Sequence, residues 1–245
     1  MRVAVVENMR NTGLGALATA LDEAGADIEW FRVWRDGILP PDISAHDALV
    51  VLGGEQSALD DETHPYLPKL ARLARRFGDA GKAVLGICLG CQILARAYGA
   101  DNHLGTAREF GWHRIGVTPE GRTDPLLSAL GNDFTIFEWH ADTFSLPEGA
   151  VRLAASPIAE NQAFRIGRAV YGTQFHFEAD MRVVEEWKTD FPDTIARVAP
   201  GWLESHAELA ARHGAAADSA GLAIARAWVG LIERQEAGLL SPASA

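Results

Sequence analysis

Short apolar runs alternate with helical repeats in the N-terminal part of the chain, and this alternation limits the possible folds more than any other feature. The sequence predicts strands over residues 3–6, 28–33, 48–52 and 83–87, and helices over residues 14–24, 66–77 and 92–98. Continuous apolar runs are typical of parallel strands, because helices cover both faces of such a sheet. The strand–helix–strand order therefore predicts an α/β fold with a parallel, doubly wound sheet.

The sequence pattern changes after Asn102, where turns separate further short strands. We predict these strands over residues 112–118, 135–139, 151–155, 163–166 and 169–175, added to the sheet as antiparallel pieces. The last part of the chain returns to helical spacing, with an apolar stripe that serves either core packing or a partner. The stripe comprises Leu222, Ala225, Trp228, Val229 and Ile232. We predict a main domain over residues 1–190, a helical extension packed on it over residues 191–245, and a frayed tail at 241–245.

Composition excludes several classes of partner. The formal net charge of −11 opposes a phosphate backbone, and no basic run offsets it, so we expect no nucleic acid partner. No uninterrupted apolar stretch approaches the roughly 18 residues that span a bilayer. The N-terminal run meets a charge at Glu7, too soon for the apolar region of a signal peptide. We therefore expect no membrane partner and a cytoplasmic location.

The segment from Gly86 to Gln92 (GICLGCQ) puts a cysteine on a turn between an apolar strand and a helix. Gly86 and Gly90 lack side chains where a tight turn brings backbones together. The following helix directs its free N–H groups and its positive dipole end at the Cys88 sulfur, and both favour the thiolate. The sequence therefore predicts an exposed nucleophile, although a cysteine in an apolar setting is also commonly an inert packing residue.

The chain has two cysteines, Cys88 and Cys91, and they are too close together to form a disulfide framework. Two thiols are also too few for a four-cysteine zinc site. A redox Cys-x-x-Cys pair stays conceivable, but Cys91 falls inside the first turn of the predicted helix. We expect Cys91 to be a bystander.

A thiol nucleophile needs a base, and the base needs a group that orients it. We predict that His176 and Glu178 lie on a strand and share one face, while Phe175 and Phe177 point into the core. A carboxylate beside an imidazole fixes the tautomer and stabilises the imidazolium. The alternative is a surface His–Glu pair without a function.

Paired glycines, Gly53 and Gly54, follow the third predicted strand. Carboxyl ends of adjacent parallel strands line one crevice, so this loop is expected next to Cys88. Backbone N–H groups in such a loop can approach a developing oxyanion.

The ordered set of motifs resembles the class I (triad) glutamine amidotransferases, and especially their stand-alone GMP synthase-like members. The motifs are the Gly-Gly loop, Gly-Ile-Cys-Leu-Gly-x-Gln, Glu109-Phe110-Gly111-Trp112, Trp139-His140-Ala141-Asp142 and Gln-Phe-His-x-Glu-Ala-Asp. The resemblance implies a flavodoxin-like core and makes residues 1–190 the amidotransferase domain. It implies Cys88 as nucleophile, His176 as base and Glu178 as its orienting group.

The same resemblance implies an oxyanion hole formed by the N–H groups of Gly54 and Leu89. It also implies that a glutamine substrate is held by a set of residues around the turn. This set comprises Gly53, Gln92, Trp139, His140, Ala141 and Asp142. No cofactor and no metal are implied.

The chain departs from the usual family pattern in two places. Phe177 stands where proline commonly separates the histidine from the glutamate, and Glu55 stands where many relatives have proline. The sequence also has neither a pyrophosphatase loop nor a Walker motif with which to activate an acceptor by ATP. Any ammonia released would therefore go to a separate synthetase or acceptor subunit. The sequence leaves open whether the chain forms a homo-oligomer.

Three other interpretations remain. The same machinery cleaves other γ-glutamyl amides, so the chain could be a γ-glutamyl hydrolase or peptidase. His140, Asp142 and His176 imitate the two-His, one-carboxylate set of non-haem iron enzymes, but that set is usual in all-β barrels. A silent binding subunit could also carry an intact Cys–His–Glu set.

Overall fold

The computed structural model describes residues 1–240, and the side chains of residues 1–232. One sheet of nine strands forms its centre, and two very short strands pair apart from it. The strands are β1 (Arg2–Glu7), β2 (Asp27–Arg32), β3 (Ala48–Val51), β4 (Ala83–Ile87), β5 (Asn102–His103), β6 (Glu109–Val117), β7 (Asp133–His140), β8 (Thr143–Phe144), β9 (Val151–Ala155), β10 (Ala163–Ile166) and β11 (Val170–Thr173). The helices are α1 (Gly15–Glu23), α2 (Val33–Asp36), α3 (Leu67–Asp79), α4 (Leu89–Ala97), α5 (Met181–Asp190), α6 (Pro192–Val198) and α7 (Trp202–Leu240).

The strand order in the large sheet is β2-β1-β3-β4-β11-β10-β9-β6-β7. The five strands from β2 to β11 run parallel, and the remaining pairings are antiparallel. The prediction of a parallel core with antiparallel additions is confirmed. Strands β3, β4 and β11 lie side by side, so their carboxyl ends open at one edge.

Helices cover both faces of the parallel strands, which explains the continuous apolar runs. Side chains alternate along β1: Val3 and Val5 face the core under α1 and α7, whereas Ala4 and Val6 face the core under α3 and α4. A third apolar cluster joins α5, α6 and the beginning of α7 to β7. Every residue of the central strands β3 and β4 is thus buried on one side or the other.

The C-terminal helix α7 packs against α1 and β7. Four members of its predicted apolar stripe are buried in the core, namely Ala225, Trp228, Val229 and Ile232, whereas Leu222 is only partly buried. By length and mean hydropathy (1.3), the stretch Trp202–Ile232 could also cross a membrane, but 50% of that apolar window is buried inside the molecule. Core packing accounts for its hydropathy. The tail predicted to fray, residues 241–245, lies outside the described residues.

One predicted strand ends earlier than expected. The run over residues 169–175 forms a strand only over Val170–Thr173, so the prediction that His176 and Glu178 lie on a strand is wrong. Both residues follow the strand in bends, where His176 makes an isolated bridge with Phe137. Phe175 and Phe177 are nevertheless buried in the core as expected.

Candidate active site

Cys88 occupies a strained turn between β4 and α4. Its backbone angles, φ of 51° and ψ of −111°, lie in a region that residues other than glycine rarely adopt. The turn closes because two glycines allow backbones to touch: a Cβ on Gly86 would lie 2.4 Å from the Gly90 oxygen, and one on Gly90 would lie 2.0 Å from the Val51 oxygen. The sulfur is thereby held at the amino end of α4, where the helix dipole favours a negative charge.

Cys91 lies one helical turn away and is fully buried. Its sulfur is 3.9 Å from Oε1 of Gln174, and no disulfide joins it to Cys88. Burial raises the pKa of the Cys91 thiol well above its usual range. It therefore stays a neutral thiol while Cys88 faces the cavity.

Three backbone contacts fix the segment that carries His176 and Glu178. The His176 N–H donates to the Phe137 oxygen of β7 at 2.9 Å, and the Ala16 N–H at the start of α1 donates to the Glu178 oxygen at 2.9 Å. On the other side, Gly221 of α7 comes so close that a Cβ there would lie 2.2 Å from the Phe177 oxygen. Tertiary contacts thus supply the rigidity that a strand was expected to supply.

The His176 imidazole and the Glu178 carboxylate form a short, buried pair. Nδ1 of His176 lies 2.6 Å from Oε1 of Glu178. Burial alone would lower the pKa of His176, but the charge of Glu178 and the interaction with Cys88 raise it well above its usual range. The Trp187 indole packs edge-on against the imidazole, with ring centroids 5.0 Å apart. The arrangement favours an imidazolium next to the sulfur.

The Gly-Gly loop lies against both groups. A Cβ on Gly53 would lie 3.2 Å from Cε1 of His176 and 3.6 Å from Cβ of Cys88. A Cβ on Gly54 would lie 2.7 Å from Cδ2 of Leu89, so the two predicted oxyanion donors are neighbours. Within the described part of the chain, neither the Gly54 nor the Leu89 amide donates to another backbone atom. Both N–H groups are available to an oxyanion.

A cavity of about 440 Å³ opens at this edge of the sheet. That volume is in the range of small-molecule sites. All but one of the predicted site residues line it: Gly53, Gly54, Cys88, Leu89, Gln92, Trp139, His140, Ala141, Asp142 and His176. Glu178 does not line the cavity; it contacts His176, which does.

Gln92 and the segment after β7 form one network at the floor of the cavity. The Gln92 side-chain amide donates to the Asp142 oxygen at 3.3 Å and to Oε1 of Gln174 at 3.1 Å. The Cys88 thiol lies 3.6 Å from the Trp139 oxygen. The backbone of residues 139–142 is therefore held directly against the cysteine turn.

His140 turns away from His176 and towards two carboxylates. Its Nε2 lies 3.1 Å from Oε2 of Glu109 and 3.3 Å from Oε2 of Glu138. Burial alone would lower the pKa of His140, but its bonds to the two glutamates raise it to about 10. Among the described residues, metal-ligating side chains converge at this trio, and the iron-like set of His140, Asp142 and His176 does not form.

The outer wall of the cavity consists of residues that no sequence motif indicated as site residues. These lining residues are Met9, Thr12, Glu55, Gln56, Arg108, Glu109, Phe110, Trp187, Phe191, Thr194, Arg197 and Val198. Part of the wall comes from α6, which falls in the segment predicted to be an extension. The pairing of β6 with β7 sets Glu109 opposite His140 and Phe110 opposite Trp139, so an antiparallel register could have indicated these two contacts. No local pattern indicates the others.

Comparison with known proteins agrees with this geometry. Residues 9–187 match the sequence model of the family described as glutamine amidotransferase class-I. The chain is 35% identical over 188 residues to the glutamine amidotransferase-like protein YfeJ of Salmonella typhimurium, a match that covers 76% of this chain and 79% of that protein.

Two further relatives extend the comparison. The glutamine-hydrolysing GMP synthase subunit of Thermoplasma acidophilum is 31% identical over 164 residues, which cover 62% of this chain and 78% of that relative. The crystal structure of a glutamine amidotransferase from Thermotoga maritima superimposes with a TM-score of 0.82 at 25% identity, covering 95% of this chain and 98% of that one.

Proposed function

Because this chain belongs to the class I glutamine amidotransferase family, we propose that it hydrolyses the side-chain amide of glutamine with Cys88 as nucleophile. One observation carries the proposal: a strained cysteine at a helix N-terminus shares a cavity with His176, which is itself held by Glu178. Such a nucleophile, base and orienting group together make an activated nucleophile.

In the proposed resting state, the proton of the Cys88 thiol resides on His176. The high pKa of that imidazole supports this state. The thiolate attacks the carboxamide carbon of glutamine, and the carbonyl π electrons move to oxygen. The Gly54 and Leu89 N–H groups stabilise the resulting oxyanion, a contribution of about 3 to 4 kcal/mol for one donor in comparable sites.

His176 then returns its proton to the amide nitrogen, and the C–N bond breaks with release of ammonia. A γ-glutamyl thioester remains on Cys88. Water attacks this thioester while His176 takes up one of its protons, and the C–S bond breaks to give glutamate and the starting thiolate. In this scheme, the network of Gln92 and residues 139–142 binds the amino-acid end of glutamine.

We further propose that the ammonia passes to a separate synthetase or acceptor subunit. The Thermoplasma relative is named as one subunit of a GMP synthase, and this name supports a role within a larger enzyme. A cytoplasmic location is part of the same proposal.

The experiment is a glutaminase assay on the purified chain, with Cys88→Ala as the inactive variant. Cys91→Ala is the matched control, because its buried thiol is neutral and outside the cavity. We expect ammonia release by the wild type and by Cys91→Ala. No release on glutamine, and no labelling of Cys88 by a glutamine-mimicking electrophile, would contradict the proposal.

A second candidate is the hydrolysis of γ-glutamyl conjugates larger than glutamine. The observation that favours it is the outer wall of the cavity, where Arg108 and Arg197 are exposed and form no ion pair with any described residue. Two free guanidinium groups at a cavity mouth suit a conjugate whose amine part carries a carboxylate.

This candidate predicts a split between substrates. Arg108→Ala and Arg197→Ala should raise KM for γ-glutamylglutamate about three- to tenfold, as expected of exposed charge pairs, and leave KM for glutamine unchanged. Lys69→Ala, another exposed cation but on α3, is the control. If both arginine variants keep the wild-type KM for γ-glutamylglutamate, as the control should, this substrate class is excluded.

A further inference from the structure

A buried trio of ionisable side chains lies directly behind the segment that contacts Cys88. Glu109, Glu138 and His140 are each less than a tenth exposed. Glu109 belongs to β6, and the other two belong to β7. The proposed reaction assigns no role to the two carboxylates.

The hydrogen bonds of His140 fix its protons. Nδ1 lies 3.0 Å from the Asp142 oxygen, and a carbonyl oxygen only accepts, so Nδ1 carries a proton. Nε2 lies 3.1 Å from Oε2 of Glu109. Whether this nitrogen is also protonated depends on the state of that carboxylate.

Oε2 of Glu109 already accepts two other hydrogen bonds. Gln162 Nε2 donates to it at 2.7 Å, and the Ser156 hydroxyl does so at 3.0 Å. The Ser156 oxygen itself accepts from the Ala159 N–H, which leaves its own proton for the carboxylate. Since both of these groups donate to Oε2, this oxygen acts as an acceptor and carries no proton. Nε2 of His140 must therefore donate, and both ring nitrogens are protonated.

Glu138 is the third member of the trio. It is fully buried, and its Oε2 lies 3.3 Å from the same His140 Nε2, which donates to Glu109 at the shorter distance of 3.1 Å. Burial raises the pKa of Glu138, which favours the neutral acid. The trio thus pairs the Glu109 carboxylate with the His140 imidazolium.

We propose that His140 is a protonated positioning residue for the proposed reaction: its imidazolium, held by Glu109, fixes the segment of residues 139–142 and keeps a positive charge near the Cys88 thiolate. The segment is fixed because the Asp142 oxygen accepts from His140 and from the Gln92 amide. The charge acts on the sulfur because Cys88 lies 3.6 Å from the oxygen of the adjacent Trp139 and interacts electrostatically with His140. This inference rests on the proposed function, since it takes Cys88 as the nucleophile.

The charged groups around His140 come from four parts of the chain. Glu109 and His113 come from β6, with Nδ1 of His113 3.8 Å from Oε1 of Glu109, and Glu138 comes from β7. Cys88 and His176 face the trio from the catalytic side and interact with it electrostatically. The charge of the thiolate is among the causes that raise the pKa of His140, and the attraction is reciprocal.

The first test reads the protonation of His140 in the wild-type protein. Imidazole ¹⁵N shifts are recorded by NMR from pH 6 to pH 9, and the His140 signals are assigned by their loss in His140→Gln. We expect both ring nitrogens to stay protonated over this range. A neutral imidazole at pH 7.5 would overturn the proposal, and this readout needs neither activity nor a stable variant.

The second test measures the reactivity of the Cys88 thiol. Its rate of alkylation by iodoacetamide at pH 6.5 should fall about tenfold in Glu109→Gln and in His140→Gln, which corresponds to one unit of protonation equilibrium. His113→Gln is the matched control, because His113 approaches Glu109 at the other carboxylate oxygen and does not line the cavity. Wild-type alkylation rates in correctly folded variants would overturn the proposal.

The two tests also separate this inference from the proposed function. A wild-type protein that never releases ammonia, but shows the imidazolium signal and the slower alkylation in the variants, would contradict the function alone. An active enzyme with a neutral His140 would contradict the inference alone.

Discussion

At the scale of single residues, the backbone of Cys88 carries as much information as its thiol. A side chain held at positive φ costs on the order of 1–3 kcal/mol and persists only where surrounding contacts enforce it. Here the Cys88 N–H donates to the Thr173 oxygen at 2.8 Å. The backbone of Gly90 also packs closely against that of Val51, and both contacts hold the turn in this conformation. The strain is therefore consistent with a turn that serves chemistry rather than packing.

Glu178→Gln tests the role of the carboxylate behind His176. The amide keeps the shape but removes the charge that raises the pKa of His176. We expect kcat for glutamine to fall roughly 10²- to 10⁴-fold, the usual contribution of acid–base catalysis, with little change in KM. Steady-state ammonia release measures both constants. Glu55→Gln, the same change on an exposed cavity carboxylate, is the control, and a Glu178→Gln enzyme with wild-type kcat would rule out the role.

The pKa of His140 predicts how stability depends on pH. Its folded value of about 10 lies above the ordinary value of 6.5, so the folded protein binds one proton more than the unfolded chain between these values. The stabilisation is complete below about pH 6.5 and is lost as pH rises towards 10, at about 1.4 kcal/mol per pH unit. Urea unfolding at pH 7 and pH 9 should show this loss in the wild type, and a smaller loss in His140→Gln. Equal losses would contradict the prediction.

At the scale of elements, α7 supports the catalytic segment rather than merely covering the sheet. Because Gly221 has no side chain, the Phe177 oxygen can pack directly against the helix backbone there. The alternating residues around His176 and Glu178 fit the period of a strand, and this pattern predicted that a strand holds them. The strand ends at Thr173, and helix contacts take over from there.

Two glycines of α7 form a matched pair for testing this support. Gly221→Ala would bring a Cβ within 2.2 Å of the Phe177 oxygen and should destabilise the fold by about 1–3 kcal/mol while lowering kcat. Gly230→Ala meets no atom within 4 Å and should stabilise the helix by up to about 1 kcal/mol without affecting kcat. Urea denaturation and the glutaminase assay measure both effects. Equal free energies of unfolding and equal kcat values in the two variants would contradict this supporting role of α7.

At the scale of the whole molecule, the cavity joins the two segments that the sequence separates at residue 190. Phe191, Thr194 and Arg197 line the same cavity as Cys88 and His176. The buried apolar side chains of α7 from Ala217 onward, among them Trp228 and Ile232, belong to the core under the sheet. The two-segment division stays a prediction.

Truncation after Asp190 tests that division. Removing α6 and α7 would expose core side chains of the sheet and of α1, so we expect a fragment that aggregates or lacks fixed packing. Soluble yield and near-UV circular dichroism, compared with the full chain, measure the outcome. A soluble and cooperatively folded fragment of residues 1–190 would instead support an independent domain.

The sequence by itself determined the features that depend on neighbours along the chain. Apolar runs with short helices between them predicted the parallel strands, and the glycines on either side of Cys88 predicted its turn. The cysteine, the paired glycines and the His–Glu pair were identified because each belongs to a compact local motif.

Only the tertiary structure decided which distant residues meet. The bend that directs His176 at Cys88, the Glu109–His140 contact across β6 and β7, and the α6 wall of the cavity all join residues far apart in the chain. Such contacts depend on strand register and helix packing, which no short window of sequence encodes. The motifs therefore predicted the reacting groups, and packing between elements decided the environment in which they act.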